Sequence, residues 1–246
     1  MSVKNYYDSY WSTDANWSPS EGKIHPIEQK FFDQYLTNGR SCLDYGCGDG
    51  RRYGGYLQHK GVGYYGFDIS SSAVEQAKRG GVNVELLTSE GAIQNDSVYE
   101  FAICFEVLEH LLDPEFALKE IFKHLKQQGY LIVSVPNSGI WHSRINFLLT
   151  GFFNPGGSPL TSRKKPWSDP HIRFFNPKMM VQLLNQVGEG DVRFLPAGFS
   201  FGNIPYFYKK KWWVNMCKIV DPVFGWLGNI LPGLFSSRLF FIIRKS

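Results

Sequence analysis

Apolar runs alternate with amphipathic stretches along most of the chain. The runs are short and bounded by glycine or polar residues, which is typical of buried strands. They cover residues 41–45, 64–67, 82–87, 101–104, 130–135, 191–195 and 239–244. Because helical patterns separate the first five runs, the sequence predicts a doubly wound α/β fold, with a parallel sheet and helices on both of its faces.

Two of the helices can be placed from apolar residues that recur at helical spacing. The first is predicted over 115–126, with Gly129 ending it. Its stripe consists of Ala117, Leu118, Ile121, Phe122 and Leu125, which we interpret as core. The second begins at Pro177 and closes at Gly188, since proline is favoured in the first turn of a helix and glycine after the last.

The segment LDYGCGDG, residues 43–50, carries three glycines where the first strand turns into a predicted helix over 52–59. Gly46, Gly48 and Gly50 permit positive φ and let backbone N–H groups approach a ligand, so the turn predicts a nucleotide-sized cofactor. The dinucleotide fingerprint GxGxxG would need its third glycine at Arg51. Nicotinamide and flavin cofactors are therefore disfavoured.

Asp68 ends the second strand, about 20 residues after Gly48, where a doubly wound sheet accepts hydrogen bonds from a ribose. A glycine turn followed by a ribose acceptor is a stronger signal than either feature alone. The alternative is that Asp68 caps the helix that follows at Ser70–Ala73.

Four motifs, LDYGCGDG, GFDIS, CFEVLEHLLDP and GYLIVSVPN, resemble in sequence and order those of class I S-adenosylmethionine-dependent methyltransferases. The resemblance spans about residues 42–187 and is closest to the branch that includes the ubiquinone-biosynthesis O-methyltransferases. It implies a seven-stranded, mostly parallel, Rossmann-like sheet whose last two strands form an antiparallel pair. It also implies S-adenosyl-L-methionine as the cofactor, but it says little about the acceptor.

The resemblance assigns cofactor residues at the ends of four strands. The residues are Asp44, Gly46, Cys47 and Gly48 for the methionine moiety, Asp68 for the ribose, and Ile69 beside the adenine. Glu90 and Gly91 are predicted at the adenine edge, although family members often carry Gly-Asp where this chain has Ser89-Glu90. Phe105 and Glu106 are predicted to line the sulfonium side.

Two histidines are candidate general bases, because a neutral imidazole can take a proton from a hydroxyl near pH 7. His171, in the polar stretch DPHIRFF, is the preferred one, and His110, in LEHL, is the second. The alternative for His110 is a structural bond to backbone or to a carboxylate. Asn137 and Arg173 are predicted on the acceptor side, with a turn residue as the alternative for Asn137.

The 246 residues form a single predicted domain with three additions: an N-terminal cover (1–40), an insertion after the fifth strand (137–176) and an aromatic insertion between the last two strands (197–237). All seven tryptophans fall in these segments. Both insertions leave from the carboxyl ends of the strands, where open α/β sheets bind ligands. We expect all three to lie over the active site, with a plain stabilising cap as the alternative for each.

Residues 206–235 combine a triple lysine, tryptophans and an apolar face, with no run long enough to span a bilayer. This composition suits a helix lying in a membrane interface. The same face could instead pack on the sheet or on a second copy of the chain.

Charge and cysteine content limit the classes of partner and the cellular compartment that we expect. The formal net charge is +4 and the basic residues are scattered, so no nucleic-acid track is indicated. The four cysteines lack paired spacing, which predicts free thiols, no metal site and a reducing cytoplasm. Residues 2–16 do not resemble a secretory signal.

These features favour a cytoplasmic, S-adenosylmethionine-dependent methyltransferase that acts on oxygen of a small or lipid-linked acceptor. The expected location is the cytoplasm, and membrane docking through residues 206–235 would place the chain at the inner face of the membrane. The alternatives are a non-catalytic subunit that binds S-adenosylmethionine or S-adenosylhomocysteine, and a nicotinamide-dependent oxidoreductase.

Overall fold

The computed structural model describes residues 3–12, 24–151, 153, 169–188, 190–195 and 210–246. Its centre is one seven-stranded sheet in the order β3-β2-β1-β4-β5-β7-β6. The strands are β1 (Ser41–Tyr45), β2 (Gly63–Asp68), β3 (Val84–Leu86), β4 (Tyr99–Phe105), β5 (Leu125–Pro136), β6 (Gly190–Leu195) and β7 (Arg238–Lys245). The strands β1 to β5 pair in parallel, and β7 is antiparallel to both β5 and β6. This confirms the predicted doubly wound sheet and its antiparallel pair.

Ten helices surround the sheet in the described residues. They are α1 (Val3–Ser12), α2 (Pro26–Tyr35), α3 (Gly54–His59), α4 (Ser71–Arg79), α5 (Pro114–Lys123), α6 (Trp141–Thr150), α7 (Pro177–Val187), α8 (Lys211–Phe224), α9 (Leu227–Ile230) and α10 (Pro232–Phe235). A 3₁₀ turn, Leu108–His110, follows β4. None of these helices has the length and apolar character that crossing a membrane requires.

The sheet buries both of its faces, which is why its strands read as nearly continuous apolar runs. On one face, side chains of α5 and α7 such as Ile121 and Leu184 join the core around Val133. On the other face, Phe32 of α2 and Leu57 of α3 join the core around Ile103. The carboxyl ends of β1, β2 and β4 are thereby left as the edge at which polar groups can meet.

The predicted end of the helix over residues 115–126, with Gly129 after it, was wrong. The α5 helix ends at Lys123, and β5 already begins at Leu125, so Gly129 lies inside a strand. The carbonyl of His124 accepts the N–H of Tyr99 at 2.8 Å, which draws the chain into the sheet before its apolar stripe ends. Tertiary pairing overrode the helical pattern here.

Ser70, not Asp68, caps α4. Its side chain accepts the backbone N–H of Ala73 at 3.3 Å, while Asp68 accepts the N–H of Ser70 at 2.9 Å. The carboxylate of Asp68 therefore lies just outside the helix and faces the glycine turn.

Candidate active site

The glycine turn after β1 holds its backbone in conformations that favour glycine. The φ angles of Gly46 and Gly48 are 79° and 58°. A Cβ at Gly46 would collide with Val107, and one at Gly48 would lie 2.6 Å from the ring of Trp11. The turn is thus pressed between the segment after β4 and helix α1, and only glycine fits at these two positions.

Asp68 ties the end of β2 to this turn. The backbone N–H of Gly48 donates to Oδ2 of Asp68 at 2.8 Å, and the carboxylate is 7 % exposed. Burial raises the pKa of Asp68, while the hydrogen bonds from Ser70 and Gly48 act in the opposite direction. The ribose contact expected of Asp68 remains a prediction, as does the adenine contact of half-buried Ile69.

Asp44 lies beneath the turn and is 2 % exposed. The hydroxyl of Tyr64 donates to its Oδ2 at 2.6 Å. Burial raises the pKa of Asp44 to about 7, with Tyr64 opposing the shift. The half-buried Cys47 thiol is free, and burial raises its pKa as well.

The residues predicted at the adenine edge have different surroundings. Gly91 takes a φ of 91°, and its carbonyl accepts the hydroxyl of Tyr45 at 2.7 Å. Glu90 is exposed, and its carboxylate accepts the hydroxyl of Ser89 at 2.8 Å.

The side chains of Phe105 and Glu106, at the end of β4, have different kinds of partner. The ring of Phe105 packs in the aromatic core against Phe32, Tyr53 and Phe240. Glu106 has a positive φ of 56° and forms an ion pair with Nε of Arg238 at 3.1 Å. A non-glycine residue in this region of φ is uncommon and is often found at functional sites.

An ion-pair network below Glu106 was not predicted. Glu28 of α2 is fully buried and pairs with Arg52 at 3.2 Å and with Arg238 at 3.1 Å. The sequence could not indicate this network, because its members come from α2, the segment before α3, and β7. Nothing local links these segments, although Arg238 follows directly after the aromatic insertion.

His110 and His171 are brought together. Their ring centroids are 4.6 Å apart, although the residues belong to the 3₁₀ turn and to the segment before α7. The N–H groups of Ile172 and Arg173 donate to the carbonyl of Glu109 at 2.9 and 3.0 Å, which holds the two segments together. The guanidinium of Arg173 donates to the carbonyl of Leu112 at 2.5 Å.

Burial shifts the pKa values of two adjacent residues in this cluster, His110 and Glu109. It lowers the pKa of His110 to about 4, so that this imidazole is neutral at physiological pH, and it raises the pKa of Glu109. Glu109 was not predicted as a site residue. Its position next to His110 in the LEHL motif was the available signal.

Helix α1 lies across this edge. The ring of Tyr7 contacts that of His110 at a centroid distance of 5.8 Å, and Asp8 accepts the hydroxyl of Ser70 at 2.9 Å. The carbonyl of Trp11 accepts the side-chain amide of Gln76 at 2.5 Å. These contacts fasten α1 to the glycine turn and α4, while its role as a cover remains a prediction. Residues 13–23 of the predicted cover lie outside the described residues.

Asn137 has its partners within the fold. Its side-chain amide donates to the carbonyls of Pro232, Gly233 and Ser236, the last at 2.7 Å, and its Oδ1 accepts the N–H of Gly139. It thus connects the start of the first insertion to the end of the second. Contact with an acceptor remains a prediction for Asn137 and for Arg173.

The chain is similar in sequence to known methyltransferases. A family model described as "Methyltransferase domain" matches residues 22–188. Ubiquinone biosynthesis O-methyltransferase of Coxiella burnetii is 29% identical over 134 residues, 49% of this chain and 56% of that protein. The chain therefore spans little more than half the length of these relatives. The enzyme of the same name from Aliivibrio fischeri is 24% identical over 199 residues, 75% of this chain and 80% of that protein.

Solved structures agree on the fold. A SAM-dependent methyltransferase from Thermotoga maritima superposes with a TM-score of 0.62 at 17% sequence identity, covering 99% of this chain and 100% of that chain. At this identity the likeness concerns the fold alone.

Proposed function

The chain belongs to the methyltransferase domain family, and we propose that it transfers the methyl group of S-adenosylmethionine to an oxygen of a small or lipid-linked acceptor. The observation that carries the proposal is the contact between the rings of His110 and His171. Helix α1 relates this pair to the glycine turn, because its Tyr7 contacts His110 and its Trp11 lies at Gly48. The two rings come from segments far apart in sequence, and both lie at the edge where the cofactor is expected.

The chemistry explains why these groups matter. Methyl transfer from a sulfonium is an in-line displacement by an acceptor lone pair, so that the enzyme chiefly aligns the partners and excludes water. A hydroxyl acceptor must also lose its proton, which requires a group within hydrogen-bond reach. The imidazole pair supplies such groups, with His171 held by Asp169 at 2.6 Å.

Oxygen is favoured as the acceptor atom because the relatives from Coxiella burnetii and Aliivibrio fischeri are ubiquinone biosynthesis O-methyltransferases. We propose a quinone precursor or a similar lipid-borne hydroxyl compound as the acceptor class.

Exposed apolar side chains support contact with a membrane surface. Leu148 and Leu149 of α6 are 82% and 76% exposed, and Ile219 of α8 is 74% exposed. Lys210 and Lys211 are also exposed at the start of α8. We propose that these helices dock peripherally on an anionic membrane at the cytoplasmic face. Lys209 of the triple lysine lies outside the described residues.

The test is methyl transfer from S-adenosylmethionine labelled with ¹³C in the methyl group. A catechol, its prenylated form and a matched aromatic amine serve as acceptors, and NMR of the product identifies the methylated atom. We expect a methyl ether, formed faster from the prenylated catechol. Methylation of the amine alone would contradict the assignment to oxygen, and cofactor binding without turnover on any acceptor would favour a non-catalytic subunit. His59→Ala, an exposed substitution on α3, is the control variant.

A further inference from the structure

We propose that a groove between helix α2 and the strands β6 and β7 binds a small aromatic anion, that is, a planar ring that carries a carboxylate or a phosphate. The groove has a volume of about 300 Å³. Grooves and cavities of this size hold small organic molecules. Its walls are side chains of α2 on one side and side chains of β5, β6 and β7 on the other.

The groove lies away from the candidate active site along the strands. Tyr130, which lines it, precedes Pro136, the last residue of β5, by six residues. Six residues of strand measure about 20 Å. Because the cofactor is expected at the carboxyl ends of the parallel strands, a ligand in the groove would leave the cofactor site open. The proposed site is therefore a second one, and it does not depend on the proposed function.

Positive charge is concentrated in this groove. Lys30, Arg193 and Arg244 line it, whereas Asp191 is the one acidic lining residue in the described part of the chain. The carboxylate of Asp191 already pairs with Nη2 of Arg193 at 2.6 Å. Among the described residues, neither Lys30 nor Arg244 forms an ion pair. The groove thus has an excess of positive charge, which favours an anionic ligand.

The pairing of β6 with β7 brings the two arginines close together. Arg244 lies opposite Asp191 in this antiparallel pair, and Arg193 lies opposite Ile242. Arg193 and Arg244, which both line the groove, are therefore diagonal neighbours on one face of the sheet, about 7–8 Å apart. Arginine side chains reach across this distance, so that one carboxylate or phosphate can accept hydrogen bonds from both guanidinium groups.

The side of the groove formed by α2 and β5 is aromatic. The ring centroids of Tyr35 and Tyr130 are 5.1 Å apart, and Tyr130 stacks on Phe101 at 6.0 Å. The guanidinium of Arg244 lies over the ring of Tyr130, 5.7 Å from its centroid. A ligand ring can therefore contact the tyrosines while its charged group meets the cations, which favours an aromatic anion over a free inorganic ion.

Both walls of the groove are anchored in the core. On the helix, Phe31 is buried, and its ring contacts that of Tyr35 at a centroid distance of 5.0 Å. On the sheet, Ile242 is buried in the same core cluster as Phe31. Lys30 and Arg244 are exposed. The apolar part of the site is therefore preformed, and its charged groups are accessible to an anion from solvent.

The test is calorimetric titration of the full chain with 2-naphthyl phosphate and with 2-naphthoate, which share a ring system and differ in their charged group. We expect a saturable site for one ligand per chain, with affinity about tenfold or more lower in Lys30→Gln and in Arg244→Gln. The tighter of the two ligands identifies phosphate or carboxylate as the charged group that the site prefers. Binding that does not saturate would overturn the proposal.

Lys78→Gln and Arg79→Gln are the matched controls, because each removes one exposed positive charge of the same type. Both residues belong to α4, which contacts β2 and β3 at the other edge of the sheet. We expect both controls to bind the naphthyl anions like the unaltered protein. Circular dichroism melting curves check that each variant is folded.

Two further probes test the two parts of the ligand separately. 2-Naphthol has the ring without the anionic group, and inorganic phosphate has the charge without a ring. We expect each to bind about tenfold or more weakly than 2-naphthyl phosphate. Binding of 2-naphthol as tight as that of the anions would show an apolar site only, and equally tight binding of inorganic phosphate would show a surface ion site only. Either result, or equal affinity for 2-naphthyl phosphate in folded Arg244→Gln and the unaltered protein, would overturn the proposal.

Discussion

The backbone N–H of Gly48 donates to the carboxylate of Asp68 at 2.8 Å, so the ends of β1 and β2 are held together at the edge that we assign to the cofactor. The same carboxylate accepts the N–H of Ser70. A single aspartate thus shapes the glycine turn and the start of α4, and it remains next to the place where a ribose is expected.

The first prediction concerns the glycine turn. Gly48→Ala should lower cofactor affinity about tenfold or more and destabilise the fold by roughly 1–2 kcal/mol, because a Cβ is strained at positive φ and would meet Trp11. Calorimetry and urea unfolding measure the two effects. Gly55→Ala in α3 is the control, since a Cβ there meets nothing within 4 Å. Equal effects of the two substitutions would contradict the account.

The second prediction concerns pH. An unfolded aspartate titrates near 4, whereas burial raises the pKa of Asp44 to about 7. Between these values the folded state holds a proton that the unfolded chain releases. The contribution of Asp44 to stability is therefore full below about pH 4 and is lost as pH rises to about 7, with a slope of at most about 1.4 kcal/mol per pH unit.

Asp44→Asn should remove this contribution. Urea unfolding at pH 5, 6 and 7 should show a smaller decline with pH in the variant than in the unaltered protein. Asp96→Asn, at an exposed position, controls for the loss of a carboxyl group. Parallel curves for Asp44→Asn and the unaltered protein would show that Asp44 is ionised throughout.

The third prediction concerns catalysis. His171→Ala should reduce turnover strongly while changing cofactor affinity little, because the ring belongs to the acceptor side in our proposal. Single-turnover kinetics and cofactor calorimetry separate these quantities. Unchanged turnover in this variant would remove His171 from the mechanism, and a loss confined to His110→Ala would move the role to that ring.

The fourth prediction concerns the membrane. Lys210→Glu with Lys211→Glu should weaken binding to vesicles that contain phosphatidylserine, since each lysine near an anionic surface contributes about 1 kcal/mol. Leu148→Ser with Leu149→Ser should weaken binding also at high salt. Flotation gives the bound fraction, with Lys126→Glu, an exposed residue of β5, as the control. A chain that does not float with anionic vesicles at low salt would contradict membrane docking.

Much of the fold could be predicted because burial of both sheet faces leaves a local pattern in the sequence. The glycine turn and Asp68 could also be predicted, since each directly follows or ends an apolar strand that the sequence pattern locates. The end of α5 was misplaced because the pairing of Tyr99 with His124 and Leu125 is not local. For the same reason the partners of Glu28 and the meeting of Glu109 with His171 could not be predicted, because only the folded chain brings them together.

The most direct test of the central claim is calorimetric titration of the full chain with S-adenosylmethionine. The account predicts one bound cofactor per chain, stabilisation of the fold by about 2.7 kcal/mol at a concentration 100 times the Kd, and affinity more than tenfold lower in Asp68→Ala. Absence of binding by S-adenosylmethionine, together with tight binding of a nicotinamide dinucleotide, would contradict it.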